Sequence, residues 1–245
     1  MLAAAFWLAL WQIIAMLISN STFLPAPFGK NSVTAAIAKL IVTGNFWLSL
    51  GNTFYRIALS FVLAAALAIG LAVLSYKFNI VKILLSPLIS FLKAAPVVSF
   101  TMILFIAFFS NRAFIAPVTG LMMVLPVLYA GVLAGLENTD IKLKEMAKVF
   151  NVSAKNRALY IYGSNVMPFF VSACKSGLGL CWKAAVAAEV IGSVKNTVGG
   201  NMLTVQTFFR TSELLAWTAV IIALSVGFEK LFLFALKKIQ KRIET

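Results

Sequence analysis

Five stretches of this chain are each apolar for as many residues as a helix needs to cross a lipid bilayer, and their recurrence constrains the fold more than any motif does. A helix rises about 1.5 Å per residue, so roughly 30 Å of hydrocarbon takes about 20 mainly apolar residues. Leu2–Ser19, Ile57–Tyr76, Ala94–Asn111, Ala113–Leu136 and Leu214–Leu236 meet that requirement. A sixth stretch, Val166–Ile191, is interrupted by Lys175, Lys183 and Glu189, yet its other residues are small or apolar over more than a membrane thickness. Hydrophobic residues make up 62% of the chain and charged residues 11%, too few polar groups to cover a water-soluble domain. The expectation is an all-α membrane protein of about six spans, with residues 1–245 forming one membrane domain.

Basic residues give the orientation, because Lys and Arg accumulate in short cytoplasmic loops. An even number of spans puts both termini on one side. If that side is the cytoplasm, it holds Lys77 and Lys82, then Lys142, Lys144, Lys148, Lys155 and Arg157, then Lys237, Lys238, Lys241 and Arg242. The other side holds fewer, among them Lys30, Lys39, Arg112, Lys195 and Arg210, so both termini are expected in the cytoplasm. The formal net charge of +14 is mostly this bias, and topogenesis and contact with anionic lipid explain it better than nucleic acid. The first apolar segment has no basic leader and no obvious small-residue cleavage site, so it reads as an uncleaved helix. Cys174 and Cys181 lie about 10 Å apart along one predicted helix, too far for a disulfide. With no His and no other Cys, a transition-metal site is not expected.

Between the first two spans, Pro25, Pro27, Gly29, Gly44 and Gly51 punctuate the chain. The intermittently apolar piece Val33–Val42 reads either as a short interfacial helix on the outer side or as part of a polar loop. Ser49 and Thr53 are expected to supply capping groups before the second span. Pro87, Pro96, Pro117 and Pro126 fall in or beside spans three and four, where each removes a backbone donor and can bend the helix.

Between spans four and five lies a basic stretch of a different kind, Asp140–Ile161 (DIKLKEMAKVFNVSAKNRALYI). Helical spacing places Ile141, Glu145, Lys148 and Val152 on neighbouring positions, and likewise Met146, Val149 and Phe150. The resulting narrow apolar ridge between cations fits a groove on another protein, although an amphipathic interfacial loop would show similar spacing. Glu145-Met146-Ala147, followed by Asn151 and Ile161, resembles the Glu-Ala-Ala loop of ATP-binding-cassette (ABC) importer permeases. In that family the loop docks onto a separate ATPase, and a small residue two after the Glu, here Ala147, permits close approach. A following Gly turns the chain at positive φ; this chain has Asn151, the next most tolerant residue. The family's downstream Leu-Pro aligns with Gly163-Ser164, and proline appears only at Pro168.

Other fragments follow in the family's order. Phe23-Leu24-Pro25-Ala26-Pro27, then Gly51-Asn52-Thr53-Phe54-Tyr55-Arg56, are similar to the start of permeases of the nitrate, sulfonate and taurine importers. Pro87-Leu88 with Lys93-Ala94-Ala95-Pro96 resembles their approach to span three, and Trp182–Gly192 with Gly199-Gly200 resembles their fifth-span ending. The resemblance covers about residues 23–200. It implies a permease subunit with a cytoplasmic coupling helix at about residues 140–161, in which Glu145, Met146, Ala147, Asn151 and Ile161 meet the ATPase. It further implies a second permease copy, two ABC ATPases and an external solute-binding protein, assembled in the bacterial inner membrane. No cofactor is expected in this chain, and ATP–Mg would be bound by the partner ATPase. The chain is not expected to be an enzyme: its only Gly-Lys pair, Gly29-Lys30, is followed by Asn31, not by the Ser or Thr of a phosphate-binding loop. Substrates of the relatives run from nitrate, sulfonates and taurine to pyrimidine-type vitamin precursors. The scaffold subunit of a vitamin-type energy-coupling importer would also hold ATPases, but its Ala-Arg-Gly motif does not occur here. A secondary carrier would need no docking helix.

The fifth stretch carries the most expensive residues, since a charge near the bilayer centre costs at least about 2.5–3.5 kcal/mol on insertion scales. Glu189 lies seven residues after Trp182 and shares its face, whereas Lys183 points elsewhere. Trp182, Lys183 and Glu189 are candidates for the pathway or a gate. The alternatives are an interfacial Glu189, and lysines that snorkel or pair structurally.

Overall fold

In the computed structural model, which describes residues 2–18, 24–29 and 32–244, all regular structure among the described residues is helical. Phe23 and Lys30, used in the sequence reading, lie outside the described residues, as do residues 19–22 and 31. The chain runs through α1 (Leu2–Ile18), α2 (Val33–Ile41), α3 (Gly44–Lys77), α4 (Asn79–Ala94) and α5 (Val97–Ala107). A single 3-10 turn, Arg112–Phe114, leads into α6 (Ile115–Glu137) and then α7 (Ile141–Val149). The short α8 (Ala154–Asn156) passes through a π-helical segment, Arg157–Gly163, directly into α9 (Ser164–Ile191); α10 (Val198–Thr207) and α11 (Thr211–Glu244) complete it.

Three helical segments are long and apolar enough to cross a membrane: Gly44–Lys77, Arg112–Glu137 and Thr211–Leu236. The α4–α5 pair would make another, but it is bent by 101° at its break. The apolar part of α1, Ala5–Ile18, is shorter. The 28 residues of α9 give it length to spare, about 42 Å at 1.5 Å per residue, but its apolar run is broken by Lys175, Lys183 and Glu189. The chain is a multi-pass, all-helical membrane protein.

α6 is the axis of the fold, enclosed by α3 on one side and α9 on the other, with Ile115, Val124 and Leu128 fully buried. Lipid offers helices little hydrophobic drive to associate, so close van der Waals contact between small residues does that work. Gly131 and Gly135, one turn apart on α6, allow it. A Cβ on Gly131 would lie 2.6 Å from the Ala173 Cβ, and one on Gly135 would lie 2.7 Å from the Val166 Cα. The α3 face that meets α6 is a stripe of small residues at helical spacing, Ser60, Ala64, Ala68 and Ala72, all buried.

Two sequence expectations change. Ser49 and Thr53 do not cap the second span; they lie inside α3, which begins at Gly44 after an extended Thr43. A continuous buried stripe, Phe46, Ser49, Thr53 and Ile57, carries the helix through Gly51-Asn52, because tertiary packing outweighs the weak helix preference of those residues. Nor is Ala94–Asn111 one straight span. Ala95 before Pro96 is extended at ψ 135°, as the proline ring demands, and α5 then has only 11 residues, about half a membrane thickness. Of the two readings of Val33–Val42, the helical one holds: α2 is capped by Ser32, whose hydroxyl accepts from the Ala35 amide at 3.2 Å.

The close α6–α9 approach gives a direct test. Gly135→Val should lower the stability of the purified protein in detergent by about 1–3 kcal/mol through overpacking against backbone. Gly70→Ala, with nothing within 4 Å of the added Cβ, should leave the thermal unfolding midpoint unchanged or slightly raised.

Candidate functional site

At one end of the bundle α7 projects between two anchored ends. Its start is fixed by Asp140, whose carboxylate accepts from the Lys142 amide at 2.9 Å. At its other end Asn151 adopts φ 48°, while the Val152 amide donates to the Ala147 carbonyl at 3.0 Å and the Asn151 amide to the Lys148 carbonyl at 3.2 Å. That pair of bonds is the Schellman stop, which needs a left-handed residue where Asn151 sits. Ala147 is only 1% exposed, so its small side chain serves close approach to the chain's own body. Ile161, on the π-helical segment against which α7 packs, is also buried. Glu145, Met146 and Asn151 are exposed, and Ile141, Val149 and Phe150 stand 68–76% exposed. Ile141, Val149 and Phe150 thus leave an exposed apolar patch on a basic segment. A cation–π contact ties this segment to the bundle, with the Lys144 Nζ 5.4 Å from the Tyr76 ring centroid.

At the other end of α3, about 35 Å away by helical rise, lies a buried polar knot. Glu189, fully enclosed, accepts from the Thr53 hydroxyl at 3.0 and 2.8 Å on its two carboxylate oxygens and from the Gly199 amide at 3.1 Å. Arg56 Nη1 lies 3.5 Å from Glu189 Oε1. The Thr53 hydroxyl in turn accepts from the Val198 amide at 3.0 Å. One carboxylate thus binds α9 to α3 and to the first turn of α10, where free amides suit an anion. Gly199 must be glycine, because a Cβ there would lie 2.4 Å from the Glu189 Cβ. Two flanking bonds tighten the same junction: Asn52 Nδ2 to the Asn196 carbonyl at 2.9 Å and Asn201 Nδ2 to the Ser49 hydroxyl at 2.8 Å. Glu189 is thus enclosed and bonded within its own chain. Its partner Arg56 had a signal in the sequence, a lone cation in an apolar run able to answer a lone anion in another. Thr53 and Gly199 had none, since only folding brings them within reach.

Trp182 and Lys183 part company. Trp182 is buried between Phe54 and Phe228, 6.4 Å from each ring, and so joins α9 to α3 and α11. Lys183 lies on the open face of α9 with Ser172, Lys175 and Ser176, a polar stripe at helical spacing on a helix otherwise packed inward. Neither lysine is in an ion pair among the described residues. Cys174 and Cys181 are free and buried.

Residues 63–244 match the family model described as "Binding-protein-dependent transport system inner membrane component". The "Putative aliphatic sulfonates transport permease protein SsuC" of Bacillus subtilis (strain 168) is 26% identical over 228 residues, covering 93% of this chain and 80% of that protein. The "Bicarbonate transport system permease protein CmpB" of Synechococcus elongatus is 24% identical over 196 residues, covering 76% of this chain and 69% of that protein.

If the Glu189 knot holds the junction together, Thr53→Val should destabilise the protein by about 1–3 kcal/mol, since a buried carboxylate and the Val198 amide both lose their partner. Thr53→Ser, which keeps the hydroxyl, should retain most of the wild-type midpoint in thermal unfolding in detergent.

Proposed function

The chain belongs to the family of binding-protein-dependent transport system inner membrane components, the permeases of ABC importers, and on that premise we propose that it forms the path for a small solute and is driven through α7 by a separate ATPase. ATP hydrolysis in this family lies in a separate subunit, so the chain itself is not an enzyme. One observation carries the coupling assignment. The exposed ridge of Ile141, Val149 and Phe150 stands beside Glu145 where the family's docking loop falls, braced from behind by buried Ala147 and Ile161. The partners of this reading are two ABC ATPases, a second permease copy and an external solute-binding protein.

Counting α1, the bent α4–α5 pair and α9 with the three long apolar helices gives six crossings, with both termini in the cytoplasm by the positive-inside count. α7 is then cytoplasmic, and the Glu189 knot faces outward. Closure of the ATPases pushes α7 against the π-helical segment, which runs without a break into α9. The push tilts α9 as a rod, and at its far end Glu189 passes the movement to α3 and α10, where Gly199 and Gly200 begin the outer helix. Alternating access by rigid-body movement at a subunit interface follows. In this scheme Glu189 gates by holding the outer junction, Trp182 keeps the packing, and Lys183 faces the path. The open stripe of α9 supports that last role, because lysines in a membrane segment face water or protein. Two cations on that face favour a small anion, in keeping with the sulfonate and bicarbonate named for the two relatives.

Reversing Glu145 to Lys together with Phe150→Asp should leave insertion intact but reduce substrate-stimulated ATPase activity of the reconstituted complex about tenfold or more, as an interface loses its charge and packing complementarity. Full stimulation in that variant would reject the docking role. Glu189→Gln keeps shape while removing charge, so the complex should assemble with normal basal ATPase activity and markedly slower uptake. For topology, a cysteine at Lys155 in a background lacking Cys174 and Cys181 should react with an impermeant thiol reagent only after the membrane is opened, whereas one at Lys195 should react in intact cells.

A further inference from the structure

A cavity of about 700 Å³ opens beside the segment that carries α7, between α3, α6, the π-helical segment and α9. Its walls are apolar: Ile69, Val73, Val132, Val166 and Phe170. Its rim is not, since Tyr76, Lys77, Arg157 and Tyr162 all lie there. From Ile69 to Tyr76 is seven residues, so the pocket reaches about 10 Å from a polar mouth into the apolar layer. Ile69 and Val73 remain 43% and 47% exposed on the flank of α3, so the cavity is open sideways to lipid as well as at its mouth.

The charges at the mouth are of one sign. Lys144, poised over the Tyr76 ring, adds a third cation beside Lys77 and Arg157. Glu137, the nearby acid, is already held by Lys82 at 2.5 Å. None of the three mouth cations is in an ion pair among the described residues. Tyr76 and Tyr162 meet edge to face at 5.7 Å, amphipathic rings of the kind that settle at headgroup level.

We infer that this cavity is a binding site for an anionic phospholipid of the cytoplasmic leaflet, one acyl chain along Ile69, Val73 and Phe170 and the phosphate among Lys77, Lys144 and Arg157. Basic pockets between membrane helices on that face suit such headgroups, and a free fatty acid or a zwitterionic lipid would leave much of the charge unanswered. The inference rests on the proposed inside-facing topology of α7. Its consequence is regulatory: the phosphate would bridge Lys144 on α7 to Arg157 on the π-helical segment, so an occupied site stiffens the joint through which α7 pushes α9.

The test is native mass spectrometry of the assembled transporter after exchange into detergent containing equal amounts of dioleoyl phosphatidylglycerol and dioleoyl phosphatidylcholine. The expected result is phosphatidylglycerol retained several-fold over phosphatidylcholine, a preference reduced towards equality by Lys77→Gln with Arg157→Gln. Val73→Trp, which fills the cavity, should abolish retention of either lipid, and substrate-stimulated ATPase activity in vesicles should lose its dependence on phosphatidylglycerol. If Val73→Trp does not assemble, the rim variant carries the same test. Equal retention of the two lipids, an unchanged preference in the variants, or a photo-crosslink from position 73 to the second permease copy in place of lipid would overturn the proposal. Labelling at position 155 scores the topology separately, so a site can be rejected while the topology stands.

Discussion

Contact between α6 and α9 at Gly131 and Gly135 is the constraint on which the arrangement of the helices rests. In water such a pair would be driven together by burial of apolar surface, but a bilayer takes that drive away and leaves packing and interhelical polar contacts. Two glycines one turn apart let backbone approach backbone, with Ala173 and Val166 as the facing groups. Once α9 is pressed onto α6 along that line, its other residues have no freedom to choose sides. Trp182 and Glu189 turn inward, and Lys175 and Lys183 turn outward. The polar stripe proposed to line the path is thus a consequence of where the glycines are.

The inward-facing charge then needs an answer. A carboxylate enclosed by protein is strongly destabilising unless hydrogen bonds and a counter-charge replace its water. Glu189 has the Thr53 hydroxyl, the Gly199 amide and, at longer range, Arg56. Thr53 and Arg56 lie on α3 and Gly199 on α10, so satisfying one side chain of α9 fixes the mutual placement of α3, α9 and the start of α10. Losing any one of them leaves the buried carboxylate with one partner fewer. A junction tied at several points in this way resists gradual loosening, in keeping with the gate proposed for Glu189.

At the opposite end the logic is reversed, because apolar groups there are exposed. The α7 ridge exists because an asparagine can take the left-handed turn that stops the helix, and because Ala147 is small enough to be buried where α7 packs on the π-helical segment. The extra residue of that segment, with Asn165 Nδ2 bonded to the Ile161 carbonyl at 2.8 Å, marks a local departure from α geometry of the kind often found at functional sites. α7, the cavity beside it and α9 meet at this one irregular joint, so anything occupying the cavity lies against the element proposed to transmit movement.

Much of this was legible in the residues taken alone. Span-length apolar runs dictate a helical membrane protein, since about 20 such residues have no stable soluble alternative. The basic stretch with Glu145 and Asn151 announced a short helix with a defined stop, because those requirements are local: a periodicity of a few residues and one position tolerant of positive φ. What the residues could not announce were relations between distant parts of the chain. What encloses Glu189 depended on Thr53 and Arg56, more than 130 positions away, meeting it in space. Whether Gly51-Asn52-Thr53 ended a loop or continued a helix depended on the stripe that α3 buries, and neither the bend at Pro96 nor the π-helical segment has a unique local signature. Periodicity and composition act over a turn or two of helix, so the sequence by itself determined which segments are helices and which faces are apolar. Only the tertiary structure, through close packing and the need to partner a buried charge, decided which faces meet.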